Sequence, residues 1–479
     1  MNFQAIIKKR ARLSIFLMLI TFAFTDINCK KAIDVNTPTT SIDSKNVYTN
    51  NKTAAAVLTG IYAGISTNTP LSQDLVSIGL RTGLSSDELV LYSGSDDQSL
   101  RTYYQNNLSP SEMVSLWQIL YNKLYVINAA IEGLNNSTGL DPSLKKQLQG
   151  EAKFMRAFVL FYLTNLYGDI PLVTSIDYTV NYVLSRSSQQ QVFVQIISDL
   201  KESQNLLSSD YLDGTILSNT KERVRPTKWA AIALLARCYL YTHDWENAES
   251  QANFVINNTA LYNLESLDRT FLMNNREAIW QLQPVNQGAN TEDAKTYIIP
   301  PEGLGFLNPV YLSDHLLNSF ELGDQRKSKW IDTITSGGTL YYFVYKYKSA
   351  VFNAPVTEYH TIFRLAEQYL IRAEARAQQN NINGALEDVN TIRKRAQLNP
   401  LNISNKDDLL TAIYHERQVE LFTEWGHRWF DLKRTQTVNG IMSKVTPEKG
   451  GTWSPNWQFY PIPANDIKID GNLIQNPGY

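Results

Sequence analysis

Apolar residues recur at helical spacing along most of this chain, and that periodicity limits the fold more than any other feature. Between positions 144 and 167 the apolar residues are spaced by three, four or seven, so they share one helix face: Leu144, Leu148, Met155, Phe158, Tyr162 and Leu166. Asp141 with Pro142 marks the start of this helix, and Gly168 marks its end. Similar periodicity predicts further helices at 52–66, 112–134, 190–207, 227–257, 362–396 and 406–425. The predicted fold class is therefore mainly α.

Two of the predicted helical segments share a pattern of small residues. Ala236 and Ala248 lie twelve positions apart, and so do Ala373 and Ala385. A polar turn falls between the alanines of each pair, "THD" in the first and "QNNIN" in the second. This pattern is typical of tetratricopeptide-type helix pairs, in which small side chains let two antiparallel helices approach closely. Because the other segments lack it, we predict a few helix pairs wrapped into one body rather than a regular solenoid.

Long segments without periodicity separate these helices. They are rich in turn residues and aromatic residues and span roughly 67–111, 170–187, 259–361 and 435–479. Segments of this length in a compact protein usually carry functional surfaces. We expect an irregular, loop-rich subdomain with a few short strands, for instance around "TLYYFVYKY" at 339–347.

The first 28 residues have the composition of a secretory signal. Basic residues at positions 8–10 and 12 precede an apolar run from Leu13 to Phe24. That run is too short to cross a bilayer as a helix, which needs about 20 residues. The segment ends in "TDINC", so Cys29 stands where a lipoprotein signal carries its lipid-accepting cysteine, although Asp26 and Asn28 depart from the usual residues there. We expect a lipoprotein signal at 1–28, a polar extended tether at 29–50 and the folded domain at 51–479.

Composition excludes one class of partner and suggests another. The formal charge of -2, from 44 basic and 46 acidic residues, provides no basic surface for a nucleic acid. The 26 tyrosines suit a protein that presents amphipathic rings to a polar partner, although most of them would fill a helical core. The second cysteine, Cys238, lies in an apolar stretch and is expected to be a core residue.

The segment "ERQVELFTEWGHRWFDLKR" at 416–434 resembles a metal or catalytic site at first sight. The sequence HERQVE begins like the HExxH motif of zinc peptidases, but Val419 stands where the second histidine is required. Glu424 and His427 form an ExxH pair like that of di-iron bundles, yet the chain contains no second such pair. General acid or base catalysis would need a cleft that sequence does not reveal. We therefore expect no metal and no cofactor.

A structural role accounts for more of this segment. Glu416, Arg417, Glu420 and Glu424 are spaced to pair with basic or acidic partners along a helix. The apolar residues are expected in the interior: Val419, Leu421, Phe422, Trp429, Phe430 and Leu432. Gly426 is expected to break the helix. The polar residues that follow are expected to satisfy free backbone groups at the break: Arg428, Asp431 and Arg434.

The same segment resembles the signature helix of the SusD/RagB family, E-R-x-x-E-L-x-x-E-G-x-R-x-x-D-L-x-R, with Trp425 intervening. The closing sequence "YPIPANDIKIDGNLIQNPGY" is similar to that family's C-terminal motif. Other stretches resemble the family as well: "AAAVLTGIYAGI", "LYGDIPLV", "RPTKWAAIALLARCYLY" and "FRLAEQYLIRAEA". The resemblance thus extends from the lipoprotein signal to the last residue.

This resemblance implies an outer-membrane lipoprotein, exposed on the cell surface, that binds an oligosaccharide or polysaccharide. Its partner would be a SusC-like TonB-dependent transporter, over whose mouth it acts as a lid. The implied fold is a superhelix of four tetratricopeptide-like units with an irregular ligand-binding subdomain. The motif residues are scaffold in that family, and its members are not enzymes as a rule.

Ligand-binding residues are expected in the aromatic, amide-rich loops. Sugars are bound by aromatic rings that stack on their CH-rich faces, while polar side chains fix the hydroxyls. The first candidate segment, 91–107, shows no helical phasing and carries Tyr92, Asp96, Asp97, Gln98, Arg101, Tyr103 and Tyr104. The second, 283–311, carries Asn286, Gln287, Tyr297 and Phe306.

Three alternatives remain open from the sequence. A tethered glycosidase would need two carboxylates about 5 to 10 Å apart in a groove, and the adjacent Asp96 and Asp97 do not suit that role unaided. A scaffold built on the helix pairs would have no small ligand. Some members of the family bind peptides instead of glycans.

Overall fold

The predicted helices form a connected frame in a computed structural model that describes residues 47–111 and 116–479. The predicted signal segment, Cys29 and most of the predicted tether lie outside the described residues. The last part of that tether is attached to the folded body, since the Ser137 hydroxyl donates to the Tyr48 carbonyl at 2.6 Å. Residues 48–479 form one compact unit.

The helices of the described part are mostly in its first half and its last third. They are α1 (Asn51–Ser66), α2 (Ile78–Ser85), α3 (Gln98–Tyr104), α4 (Leu116–Asn136), α5 (Pro142–Tyr167), α6 (Tyr178–Asn181), α7 (Gln189–Leu206), α8 (Lys228–Tyr241), α9 (Trp245–Ile256), α10 (Glu292–Tyr297), α11 (Asp314–Leu317), α12 (Gln325–Trp330), α13 (Leu365–Gln378), α14 (Ile382–Arg395), α15 (Lys406–Leu421), α16 (His427–Arg434), α17 (Val438–Glu448) and α18 (Ala464–Ile469).

Strands are short and pair only in twos within the described residues. They are β1 (Leu89–Leu91), β2 (Ile170–Pro171), β3 (Arg186–Ser187), β4 (Ala278–Leu282), β5 (Val310–Leu312), β6 (Ile331–Ser336), β7 (Thr339–Val344) and β8 (His360–Arg364). The pairs are β1 with β5, β2 with β3, β4 with β8, and β6 with β7, all antiparallel. The strand predicted at 339–347 is confirmed as β7.

The two predicted helix pairs are confirmed. Helices α8 and α9 pack on each other, as do α13 and α14, and the alanines at 236, 248, 373 and 385 are fully buried between them. His243 and Asn380 turn the chain with positive φ angles of 60° and 63°. Helix α9 also packs against α13, so the two pairs are neighbours although more than a hundred residues of sequence separate them. Contacts continue from α4 through α5, α7 and α8, which gives the mainly α superhelix predicted from the sequence.

Several predicted boundaries are wrong for local physical reasons. The periodic segment 362–396 begins in strand β8, because residues 360–364 pair with β4 before the helix starts at Leu365. The predicted loop at 435–479 contains helix α17, whose apolar side of Val438, Met442 and Val445 is buried. Gly440 and Pro447 within it hide the pattern, since both residues disfavour helix interiors.

Glutamates of the 416–434 segment anchor a buried ion network. The Arg326 guanidinium donates to Glu416 at 2.6 Å and to Glu420 at 3.0 Å. The Arg364 guanidinium donates to Glu420 at 2.5 Å and to Glu424 at 2.7 Å. We define this network as five cations and five anions whose side chains are at most 11% exposed: Arg326, Lys346, Arg364, Arg393, Arg395, Glu277, Asp324, Glu416, Glu420 and Glu424. The expected scaffold role is therefore confirmed.

The end of α15 differs from the prediction. The helix stops at Leu421, and Gly426 follows as a left-handed residue (φ 79°) that precedes α16. The Lys346 ammonium donates to the Glu420 and Phe422 carbonyls at 3.0 and 2.8 Å, and these bonds satisfy the helix end.

The prediction that Arg428, Asp431 and Arg434 serve this break is wrong, because their charged groups pair with one another or with distant carboxylates. The Arg428 guanidinium donates to Asp87 at 2.6 Å, and Asp431 accepts from Arg434 at 2.7 Å.

The C-terminal motif closes the frame by hydrogen bonds to backbone. The Asn476 amide is buried and donates to the Tyr167 and Tyr460 carbonyls, both at 2.8 Å. The Gln475 side chain bonds both the N–H and the carbonyl of Ile462. These contacts fasten the last residues to the end of α5. Among the described helices, none combines the length and the apolar character that a membrane crossing requires.

The first prediction concerns the stability contributed by the ion network. Glu420→Gln should lower the free energy of unfolding by about 3 to 5 kcal/mol, because it leaves the buried Arg364 and Arg395 guanidinium groups short of one negative charge. Glu202→Gln is the matched control, since Glu202 is exposed and its ion pair among the described residues is with Lys153; it should cost less than about 1 kcal/mol. Urea unfolding followed by circular dichroism measures both, and equal losses in the two variants would contradict a structural role for the network.

The second prediction concerns acid stability. Burial alone would raise the pKa of Glu420, but the guanidinium groups of Arg395, Arg364 and Arg326 outweigh it and hold that pKa well below its ordinary value. Because the pKa of Glu420 is lower in the folded state, the unfolded chain binds this proton first as the pH falls. The contribution of Glu420 to the free energy of unfolding is therefore fully present above about pH 4.3 and is lost as the pH falls further. Between pH 5.5 and 3 the free energy of unfolding should fall less steeply in Glu420→Gln than in the unsubstituted protein. Parallel slopes would show that Glu420 binds its proton equally in both states.

Candidate functional site

The first candidate segment, residues 91–107, is more regular than its sequence suggests. It leaves strand β1, turns, and forms helix α3, which begins where the Asp97 carboxylate accepts the Leu100 N–H at 2.9 Å. Leu100 and Tyr103 are the buried side of this helix. The prediction that this segment lacks helical phasing is therefore wrong; seven residues are too few to show a period.

Helix α3 divides the predicted ligand-binding residues into two groups. Gln98 and Tyr103 lie on one side and line a cavity of about 220 Å³, together with Ser99, Thr102, Tyr167, Tyr460 and several prolines. Arg101 and Tyr104 are not among the residues that line this cavity. The cavity therefore includes two of these four side chains.

Strand pairing places tyrosines on an outer face. In the pairing of β1 with β5, Val90 lies opposite Tyr311, and the Tyr92 N–H continues the ladder by donating to the Pro309 carbonyl at 2.7 Å. The leucines at 89, 91 and 312 and Val310 point inward and are buried. Because side chains alternate across a strand, Val90, Tyr92 and Tyr311 share the outer face. Tyr92 and Tyr311 are diagonal neighbours there.

Two further tyrosines extend this face. The ring of Tyr341 on β7 meets the ring of Tyr311 edge to face, with centroids 5.1 Å apart. Burial, followed by the negative charges of Tyr311 and Glu448, raises the pKa of Tyr104 to about 12. All four rings are half-buried, and we call them the tyrosine surface: Tyr92, Tyr104, Tyr311 and Tyr341.

Gly94 lies directly against the Tyr92 ring. The Tyr92 ring folds over it so closely that a Cβ at position 94 would lie 2.7 Å from a ring carbon. An L-residue there would displace the Tyr92 ring.

Charged groups beside the tyrosine surface are mostly acidic or already bonded. Asp314 and Glu448 are exposed, and the Glu448 carboxylate contacts the His315 ring nitrogen at 2.6 Å. The Lys449 ammonium lies 5.3 Å from the Tyr104 ring centroid but points inward, where it donates to the Leu84 and Ser86 carbonyls. Burial lowers the pKa of Lys449 to about 7.

The polar residues of the first segment have different environments. Asp96 and Gln98 are exposed. The Asp97 carboxylate caps α3, and the Arg101 guanidinium donates to the Ser95 carbonyl at 2.6 Å. Among the described residues, the Asp96 carboxylate of this segment forms no hydrogen bond or ion pair, in contrast to that of Asp97.

The second candidate segment, residues 283–311, is only partly exposed. The Asn286 amide donates to Glu292 at 2.8 Å and to the Thr67 carbonyl at 3.2 Å, which ties the loop to the end of α1. Gln287 is exposed. Tyr297 lies at the end of α10 and is 4% exposed, and burial raises its pKa well above the ordinary value. Phe306 is 79% exposed.

Two members of the tyrosine surface, Tyr311 and Tyr341, were not among the predicted site residues. Both lie in segments that the sequence analysis identified, Tyr311 at the end of 283–311 and Tyr341 within the predicted strand. Alternation along that strand could have indicated Tyr341. The position of Tyr311 depends on a pairing between residues 90 and 311, and no local pattern encodes it.

The acidic and histidine residues of the 416–434 segment have structural partners. The Glu424 carboxylate accepts from Lys346 at 2.5 Å and from Arg364 at 2.7 Å. His427 is 5% exposed, and burial followed by the charge of Arg237 lowers its pKa well below the ordinary value. Within residues 47–111 and 116–479, no three His, Cys, Asp or Glu side chains are grouped so that they could hold a metal ion.

Two protein families match most of this chain between them. The SusD family matches residues 315–479, and a family described as "Starch-binding associating with outer membrane" matches residues 35–240. The SusD-like protein P2 of Formosa agariphila is 27% identical across 88% of this chain and 92% of its own length. The starch-binding protein SusD of Bacteroides thetaiotaomicron is 33% identical, but across 25% of this chain and 21% of its own length.

Solved structures share the fold at low identity. A SusD superfamily protein from Bacteroides vulgatus superposes with a TM-score of 0.77 at 22% identity and covers 90% of this chain and 100% of its own. A laminarin binding SusD-like protein gives 0.74 at 22% identity, with the same coverage. Surface glycan-binding protein A from Bacteroides fluxus gives 0.73 at 24% identity, again with the same coverage.

Proposed function

Because this chain belongs to the SusD-like family, we propose that it is a non-catalytic, surface-exposed outer-membrane lipoprotein that binds a glycan and delivers it to a SusC-like TonB-dependent transporter. The observation that carries the proposal is the tyrosine surface, where paired strands carry three half-buried rings and helix α3 carries the fourth. Relatives named as starch-binding, laminarin binding and surface glycan-binding support a glycan as the ligand class.

The chemistry of the tyrosine surface suits a saccharide. A half-buried ring offers one apolar face to the CH groups of a sugar while its hydroxyl stays available for hydrogen bonding. We assign ring stacking to Tyr92, Tyr104, Tyr311 and Tyr341. Asp96 and Arg101 are proposed to bond sugar hydroxyls at one side.

The other predicted site residues are assigned smaller roles in ligand binding, or structural roles. Asn286, Gln287 and Phe306 are proposed as rim contacts for a longer chain. Gln98 and Tyr103 would contact a ligand only in the cavity behind α3. Asp97 and Tyr297 are assigned structural roles, because one caps α3 and the other is buried.

The third prediction tests the stacking role. Tyr311→Ala and Tyr341→Ala should each weaken glycan binding about tenfold, which corresponds to about 1.4 kcal/mol, because each removes a stacking ring. Tyr311→Phe should retain most of the affinity, since it keeps the ring. Isothermal titration calorimetry against each glycan that the unsubstituted protein binds provides the measurement.

The matched control is Tyr178→Ala. Tyr178 is 79% exposed and lies on α6, outside the tyrosine surface, so its removal should leave the affinity unchanged. Thermal unfolding of each variant checks that the fold is intact. If well-folded Tyr311→Ala and Tyr341→Ala variants bind as tightly as the control, the site is elsewhere.

Analysis of the reaction products distinguishes glycan binding from the alternative of glycosidase activity. The purified protein should bind at least one polysaccharide from a panel without producing new reducing ends. Release of oligosaccharides would instead support a glycosidase, and binding of peptides alone would support a peptide-binding member of the family.

The fourth prediction concerns the anchor and the partner. Cys29→Ala should move the protein from the outer-membrane fraction to the soluble fraction, because the substitution removes the proposed lipid attachment site. The soluble variant should bind glycan with unchanged affinity. Pull-down of the unsubstituted protein from detergent-solubilised outer membranes should recover a TonB-dependent barrel. Unchanged fractionation of Cys29→Ala would contradict acylation at this residue, and pull-down without a barrel would contradict the partnership.

A further inference from the structure

A second cavity lies between helix α1, residues 212–225 and the end of strand β4. Its volume is about 260 Å³, and none of the rings of the tyrosine surface lines it. Part of its wall is apolar and is formed by Ala63, Leu212, Val224, Leu282 and Val285. The cavity is therefore separate from the glycan-binding residues proposed above.

The polar part of the wall is held in place by a carboxylate behind it. Glu151 is fully buried and accepts from the Tyr62 hydroxyl at 2.9 Å and from the Arg225 guanidinium at 2.5 Å. Arg225 also donates to the Thr59 hydroxyl at 2.7 Å. Tyr62 and Arg225 line the cavity and are 7% and 3% exposed. This part of the wall is thus formed without a ligand, and Glu151 balances the charge of Arg225.

Glu222 adds an acceptor without a donor to the lining. Its Oε2 atom is buried and accepts no hydrogen bond from the described residues. Burial, followed by a hydrogen bond to the Glu222 carboxylate, raises the pKa of Tyr359 to about 12, so Tyr359 serves the other carboxylate oxygen. A buried acceptor without a donor is unfavourable, and native proteins usually supply the donor from an ordered water or a ligand.

The cavity matches a single sugar ring in size and polarity. Cavities for drug-sized ligands measure about 300 to 1,000 Å³, so a volume of about 260 Å³ suits a smaller molecule. A sugar ring has apolar CH groups on its faces and hydroxyl groups at its edge, which correspond to the two kinds of wall. A hydroxyl that donates to Oε2 of Glu222 supplies the missing hydrogen bond. A carboxylate ligand finds no unpaired cation in the lining, since Arg225 is paired with Glu151.

We propose that this cavity is a second saccharide site, which binds one uncharged sugar unit with Glu222 as the acceptor of its hydroxyl group. The unit is a free monosaccharide or the end of a glycan chain. For its ligand class the inference rests on the proposed glycan-binding function, but its residues are separate from the tyrosine surface, so the two can be tested apart.

The fifth prediction is that filling the cavity removes this binding. Ala63→Trp extends a large side chain from α1 into the cavity, whereas Ala56→Trp, the matched control, adds the same side chain at an exposed position of α1 outside the lining. Saturation-transfer NMR of the purified protein against glucose, galactose, mannose, xylose and their β-1,4-linked disaccharides should detect at least one ligand. Ala63→Trp should weaken that binding at least about tenfold, and Ala56→Trp less than about twofold.

Substitution of Glu222 tests the hydrogen bond without changing α1. Glu222→Ala should weaken binding of the same sugar about tenfold, because it removes a charged acceptor, whereas Glu222→Gln should retain part of the affinity, because its amide oxygen still accepts. Thermal unfolding checks that each variant is folded. If no sugar binds, or if folded Ala63→Trp and Glu222→Ala variants bind as the Ala56→Trp control does, the cavity holds only water and the inference is wrong.

The disaccharides distinguish chain ends from free monosaccharides. They are measured in the double variant Tyr311→Ala with Tyr341→Ala, which lacks two stacking rings of the tyrosine surface. Disaccharide binding that is lost on adding Ala63→Trp identifies chain ends as the ligand, and binding of monosaccharides alone identifies free sugars. A protein that binds polysaccharides through the tyrosine surface but no sugar in the cavity retains the proposed function and contradicts only this second site.

Discussion

Charge compensation inside the buried ion network is the constraint on which the rest of this structure depends. Its five cations and five anions come from segments that are distant in sequence, between Glu277 just before β4 and Glu424 after α15. Each charge has lost its water and is stable only beside its partners, so the segments that carry them must come together as a unit. The network therefore specifies one arrangement of β4, β8, α12, α14 and α15, and a close alternative would leave a buried charge unpaired.

The same turn that completes the network also positions the tyrosine surface. Glu424 bonds Lys346, which follows strand β7 by two residues, while the Thr423 N–H donates to the Glu88 carboxylate immediately before β1. One residue earlier in the chain, Asp87 is paired with Arg428 of α16. Strand β1, which pairs with β5, and the end of strand β7, which contacts β5, are thus fastened to residues 423–428. The signature segment, which resembles a catalytic motif in sequence, thus fixes the position of the strands that carry the proposed ligand surface.

The sequence predicted the helices well because helical periodicity is a local pattern. It predicted the helix pairs because the spacing between Ala236 and Ala248 recurs between Ala373 and Ala385. It also indicated that Glu416, Glu420 and Glu424 need basic partners. It could not identify Arg326 or Arg364 as those partners, since the choice depends on contacts across 56 to 94 residues. The same limit applies to the site. Tyr92 and Tyr104 were found in a local cluster, whereas Tyr311 required the pairing of β1 with β5.

The difference between the predicted and the proposed site has a physical reason. Aromatic residues in loops suggest an irregular ligand surface, but a ring in a mobile loop must lose conformational freedom before it can stack on a sugar. Strand pairing removes that freedom during folding, because the ladder and the buried leucines of β1 and β5 fix the backbone beneath the rings. Tyr311 is held on one side by its cross-strand neighbour Val90 and on the other by the Tyr341 ring. A ring held in this way loses little conformational freedom when it stacks on a sugar. A short two-stranded ladder on a helical frame is sufficient to hold the rings in place.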